Sequence, residues 1–137
     1  MDDNSLISVI SSQNVPKTAE KFAVAAKQAG LNIYGQLDFS KLTQNTDTQP
    51  KPTVLILFGN PRVIRSLISS NQKLAIDLPM KALIWEGSDG VTTVSYTDPK
   101  WLMTRHGVAQ QLGTMADTMA SVLDKLVKSV CSQKAEN

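Results

Sequence analysis

Residues 54 to 69, VLILFGNPRVIRSLIS, constrain the fold more than any other stretch. Val54 to Phe58 is apolar at every position, which an edge strand with one wet side does not need, so it reads as an interior strand. Gly59 breaks the run, and Asn60 and Pro61 redirect it. Val63, Ile64, Leu67 and Ile68 then recur at helical spacing. A strand running straight into a capped helix is a sheet element carrying its own cover.

The rest of the chain repeats that grammar. Ser5 to Ser12 is a short β-branched strand. Ala19, Phe22, Ala23, Ala26 and Ala29 lie on one helical face, with Pro16 in the first turn and Gly30 suited to a left-handed end. Leu31 to Phe39 reads as a second strand with Gly35 as a bulge. Residues 41–52 form a polar, proline-containing loop, the segment expected to be most mobile. MKALIWE and VTTVSY, joined by GSDG, read as a β-hairpin. A two- or four-residue turn there puts Leu83, Trp85, Val94 and Tyr96 on one sheet face, with Lys81 near Tyr96 for the longer turn.

Asp98-Pro99 opens a short helical turn that stops at Gly107. From Val108 a long amphipathic helix carries Leu112, Met115, Ala116, Met119, Val122, Leu123, Leu126, Val127 and Val130 on one wide stripe. Residues 132–137 read as a frayed tail. The expected architecture is a single α+β domain over 1–137, a largely antiparallel sheet with helices on one face, in the order β-α-β-β-α-β-β-α.

Composition excludes several classes. A chain of 137 residues buries roughly two thirds of its unfolded surface. Its 14 basic and 12 acidic side chains leave a net charge of +2 with no block of one sign, so no nucleic-acid footprint is expected. No apolar run approaches the roughly 18 residues of a membrane span. Met1-Asp2-Asp3-Asn4 is acidic, unlike a secretion signal, so a cytoplasmic protein is expected, or an exported one whose leader was removed. The lone Cys131 and lone His106 rule out a multi-cysteine or two-histidine metal site, and no metal or cofactor is expected.

FGNP has two readings. Asn60 is a good helix cap and Pro61 suits the next position. The exposed amides of that helix end, with Arg62 and Arg65 nearby, equally suit an anion. Neither GxxxxGK[ST] nor GxGxxG is present, so the cap reading takes precedence.

FGNP at 58–61, AIDLP at 75–79, the IWE…DG hairpin at 84–90, SYTDP at 95–99 and RHG at 105–107 occur in an order that resembles the DUF302 family of domains of unknown function. The resemblance covers the chain from first strand to last helix. It implies a β-α-β-β-α-β-β-α domain with a TATA-binding-protein-like fold, mainly bacterial or archaeal, whose members can pair as dimers. It implies no activity. Members often carry a histidine and an alanine run between the second strand and FGNP; here that segment is LDFSKLTQNTDTQPKP, with Phe39 near where the histidine would fall.

Candidate chemistry is sparse. His106, in the last turn of a short helix, suits a dipole-capping role; the functional alternative pairs it with Asp77 or Asp98 as a general base. Asp77 reads as a turn carboxylate before Leu78-Pro79, and Asp98 as a cap. Trp85 and Tyr96 line either the core or an aromatic pocket wall. Ser11, Ser12 and Ser95 have no base at a diagnostic spacing and no GxSxG elbow. The expectation is a non-catalytic homodimeric module binding a small molecule or a protein, with Gly59, Asn60, Asp77, Trp85, Tyr96, Arg105 and His106 as ligand-binding candidates. The alternative is an enzyme of unknown reaction with its site near Asn60, Asp77, Arg105 and His106. Neither nucleic acid nor membrane is an expected partner.

Overall fold

A computed structural model describes residues 5–44 and 47–132. The acidic start, residues 45–46 of the polar loop, and tail residues 133–137 lie outside the described residues. In chain order the elements are β1 (Leu6–Ser11), α1 (Val15–Gln28), β2 (Asn32–Asp38), the single turn α2 (Phe39–Leu42), β3 (Thr53–Gly59) and α3 (Pro61–Ser70). A 3-10 helix (Gln72–Asp77), β4 (Met80–Glu86), β5 (Thr92–Thr97), α4 (Pro99–Arg105) and α5 (Gly113–Cys131) follow. The five strands lie in the order β1-β5-β4-β3-β2, and every neighbouring pair is antiparallel. The α+β architecture is the expected one, and β3 is an interior strand as its apolar run requires.

Local chemistry sets the helix ends. The Asn60 side chain accepts from the Arg62 amide at 2.9 Å and the Val63 amide at 3.4 Å, so FGNP is a helix start. Asn14 caps α1 through the Lys17 amide at 2.9 Å, and Asp98 caps α4 through Lys100 at 3.0 Å. α1 ends where Gly30 adopts φ +83, and the Leu31 amide reaches back to the Ala26 carbonyl at 2.9 Å. A residue with a Cβ is strained in that conformation.

One boundary differs from expectation. α5 begins at Gly113 rather than Val108; Val108 and Leu112 are buried, but they close a separate turn, the Leu112 amide bonding the Val108 carbonyl at 2.9 Å. Their burial extends the apolar spacing backward without extending the helix. The 3-10 helix and α2, six and four residues long, are too short to show a periodic signature. Gly35 does mark a bulge, since the β2–β3 register shifts between Ile33 and Gly35.

The hairpin corrects a sequence expectation. Glu86 pairs with Thr92, Ile84 with Val94 and Ala82 with Tyr96. The turn is therefore five residues long, 87–91, with Gly90 at φ +79 and the Val91 amide held by Asp89 Oδ1 at 3.0 Å. Residues opposite one another share a face, so one more turn residue moves Trp85 and Leu83 away from Val94 and Tyr96. Ala82, Ile84, Val94 and Tyr96 face the helices and are buried. Leu83, Trp85, Thr93 and Ser95 lie on the other face, as does Lys81, which is therefore not beside Tyr96.

The core lies between the helices and one face of the sheet. Phe22 of α1 meets Phe58 of β3 edge to face, ring centroids 5.3 Å apart. The α5 stripe covers its own sheet: Ala116, Leu123, Leu126, Val127 and Val130 are buried, Met115 and Met119 are half-buried, and Val122 is exposed.

Cys131 is buried at the end of α5, its amide-bearing neighbourhood tied to β1 by the Ser12 amide bonding the Cys131 carbonyl at 3.0 Å. Burial pushes its thiol up to about 11, against a weaker opposing hydrogen bond with Ser11. The folded state thus keeps a proton that the unfolded chain releases first. This site's stabilisation is complete below the unfolded value of 9.0 and is lost as pH rises towards about 11. Urea unfolding on both sides of that window should show falling stability, and Cys131→Ala should flatten that part of the profile.

Candidate functional site

The end of β3, the start of α3 and the middle of α5 line a half-open cavity of about 210 Å³. Phe58 and Met80 of the sheet form its floor, Val63, Ile64 and Leu67 one wall, and Met115, Met119, Val122 and Leu123 the other. Gly59 and Asn60 are among its lining residues. Gly59 permits a close approach there: a Cβ at this position would stand 2.9 Å from Ile64 Cδ1. Asn60 Oδ1 is occupied by the α3 amides, while its amide nitrogen has no partner among the described residues. The walls are almost wholly apolar, with Asn60 and Thr118 the polar side chains among the lining residues.

A second cluster joins the 3-10 helix to the end of α4. Asp77 Oδ2 lies 2.6 Å from His106 Nε2, and Arg105 Nη1 donates to Asp77 Oδ1 at 3.0 Å. The Asn71 side-chain amide donates to the His106 carbonyl at 3.2 Å. Arg105 also lies over the Trp101 ring, 5.9 Å from its centroid. The His106 side chain is only 9% exposed and that of Asp77 20%. Asp77 is therefore bound to side chains rather than acting as the turn carboxylate expected, and His106 adds a carboxylate contact to its place at the helix end. Both carboxylate oxygens are engaged, which makes Asp77 a clamp from the 3-10 helix onto residues 28 and 29 positions further along the chain. Hydrogen bonds to charged groups contribute about 1.5–3 kcal/mol. Asp77→Ala should lower the unfolding free energy by about that amount in urea titration.

The remaining candidates separate. Gly59 and Asn60 belong to the cavity, whereas Arg105 and His106 border a shallow groove with Gln72, Lys73, Ala75 and Ile76. Trp85 and Tyr96 occupy opposite sheet faces and do not form one aromatic wall. Tyr96 is 2% exposed, and burial, followed by the charges of Asp124 and Asp98, raises its phenol above the ordinary tyrosine value. Trp85 Nε1 instead donates to Ser95 Oγ at 3.0 Å, and Ser95 Oγ meets Ser8 Oγ at 2.8 Å. Met115 and Met119 were not candidates from sequence. Their i,i+4 spacing within the α5 stripe is the one local signal they carry, and it equally describes a core position.

The family model described as domain of unknown function DUF302 matches residues 7–129. The chain belongs to the DUF302 family. A crystal structure of an uncharacterized conserved DUF302 protein from Bacillus stearothermophilus superposes with a TM-score of 0.72 at 19% identity, covering 92% of this chain and 94% of that one. At that identity the likeness establishes the DUF302 fold alone. Fluoride-specific ion channel FluC 1 of Brucella suis is 34% identical over 106 residues, 77% of this chain and 42% of that protein. FluC 1 of Brucella abortus matches over 77% of this chain and 39% of its own length. The DUF302 chain thus spans about two fifths of the curated relatives it matches. Among its described residues no helix is long and apolar enough to cross a membrane.

Proposed function

We propose that this DUF302 domain is a non-catalytic, homodimeric binding module that takes one small, largely apolar molecule into the cavity between α3 and α5. The observation that carries this reading is the cavity itself. A dry apolar cavity of about 150 Å³ admits benzene, and one of about 210 Å³ suits a molecule nearer the size of indole. The amide nitrogen of Asn60, a lining residue, favours a ligand with a hydrogen-bond-accepting head. The engaged Asp77 carboxylate and the separation of Asn60 from His106 support binding without chemistry. The longest described helix, α5, carries Asp117, Asp124, Lys125 and Lys128.

Native mass spectrometry of wild type and Met119→Trp, purified together from the same host, tests this reading. An adduct retained by wild type and missing from the filled variant supports it. An adduct equal in both puts the ligand elsewhere.

A second reading rests on the 2.6 Å contact between Asp77 and His106, a geometry a carboxylate-oriented general base requires. It predicts a turnover that His106→Gln abolishes while leaving ligand retention in the cavity unchanged.

A further inference from the structure

The face of the sheet away from the core contributes none of its residues to it, and the single turn α2 adjoins this sheet at β2 and β3. Its residues fall in three cross-strand rows fixed by the register. The first runs Ile10, Thr93, Trp85, Thr53. The middle row runs Ser8, Ser95, Leu83, Leu55, Leu37. The third runs Leu6, Thr97, Lys81, Leu57, Gly35. None of these leucines belongs to the core on the opposite side. Ile10 is 69% exposed, Leu6 48% and Leu37 40%. An apolar surface of this extent on a sheet face is the mark of an interface rather than of a wet surface.

We infer that this open face is the homodimer interface, two copies packing sheet on sheet about a two-fold axis that crosses the strands through the middle row. The inference rests on the homodimer reading above and names the surface that makes it. Two arguments select a second copy as the occupant.

The first is charge. Lys81 is the one charged side chain in the three rows, and it has no ion-pair partner among the described residues. A two-fold axis along the strands would set Lys81 against the same lysine of the partner. An axis across the strands exchanges the first and third rows. Lys81 then stands over the partner's Trp85 and Trp85 over the partner's Lys81, since both lie in β4, the middle strand. A lysine ammonium over an indole face is a favourable cation–π arrangement. The same operation lays Leu83 on the partner's Leu83 and Ile10 against the partner's Leu6, covering the two most exposed apolar residues of β1. The face is complementary to itself in this one orientation.

The second argument is area. Five strands about 4.8 Å apart, six residues long at about 3.4 Å each, present a footprint of about 500 Å² before side-chain relief is counted. Specific interfaces start near about 600 Å² per subunit, which a corrugated face of that footprint reaches. Aligned sheets pack about 10 Å apart, within reach of a lysine side chain across the interface.

The test is sedimentation velocity of the full chain over a dilution series. Wild type should sediment as a dimer. Leu83→Arg should be monomeric with an unchanged circular dichroism spectrum. Ile10→Lys should weaken association while leaving the fold intact, because that side chain is already mostly in solvent. Lys81→Glu should raise the dissociation constant about tenfold or more by removing two symmetric lysine–tryptophan contacts. Val24→Lys, on the solvent side of α1 and 52% exposed, should sediment as wild type. In a Trp101→Phe background the emission of Trp85 should move to the red as the dimer dilutes apart. A dimer that survives both Leu83→Arg and Ile10→Lys would overturn this interface while leaving the homodimer reading standing. A wild type that is monomeric throughout would overturn both and leave the face to a different partner.

Discussion

Ala82→Asp is expected to abolish folding, whereas Leu83→Asp, the next residue along β4, is expected to leave the fold intact. Ala82 is 0% exposed in the middle strand, opposite Ile56 on one side and Tyr96 on the other. A carboxylate placed there is enclosed by apolar groups with no cation to pair with. The effective cost of such a charge is several kcal/mol, a large share of the roughly 5–15 kcal/mol that holds a domain together. Leu83 lies outside the core of its own chain, on the face assigned above to the partner, so a carboxylate there acts on association and leaves the fold of the subunit in place. Circular dichroism and urea unfolding should separate the pair: no cooperative transition for Ala82→Asp, and a cooperative transition for Leu83→Asp that differs from wild type by what dissociation of the dimer removes. Equal damage at both positions would contradict the facing assigned to β4.

Phe22→Ala carries the second large effect. Phe22 is fully buried, and its ring meets Phe58 at an interplanar angle of 69°. Truncation removes the transfer free energy of the ring, the aromatic contact, and packing against a β3 backbone too tied into the sheet to collapse inward. Phenylalanine-to-alanine changes of this kind cost about 3–5 kcal/mol. Phe22→Leu, which keeps most of the volume, should cost clearly less; alanine and leucine are both stronger helix formers than phenylalanine, so the larger loss at Phe22→Ala in chemical denaturation reads the cavity rather than helix propensity.

How much of this was legible in the sequence follows from the range of each interaction. The caps at Asn60 and Asp98 and the stop at Gly107 act within four residues, so residue type and spacing suffice to identify them. The apolar run Val54–Phe58 announced an interior strand, and the bulge at Gly35 was readable because glycine weakens a strand for few other reasons. The facing of the hairpin was not readable. GSDG has the composition of a four-residue turn, yet Val91 joins it, and that single residue separates Trp85 from Tyr96. The start of α5 was misplaced because Val108 and Leu112 are apolar for a neighbouring turn.

The candidate sites show the same division. Asp77, Arg105 and His106 could be singled out by type, but their convergence depends on where the 3-10 helix and α4 meet, 28 residues apart along the chain. No local signal in the sequence fixes how far Asn60 lies from them, and the fold assigns it to the cavity. That cavity is a property of the spacing between α3 and α5. Met115 and Met119 look like any other core-facing pair until the opposite wall is in place.

The central claim, that the α3–α5 cavity binds a small apolar molecule, is tested most directly by methionine-methyl NMR. Met80, Met115 and Met119 line the cavity, while Met103 is buried in the core away from the lining residues and serves as an internal reference. On titration with indole, the methyl signals of Met80, Met115 and Met119 should move together and saturate, with Met103 unchanged. Signals that stay fixed throughout, or move equally at all four positions, would contradict the account.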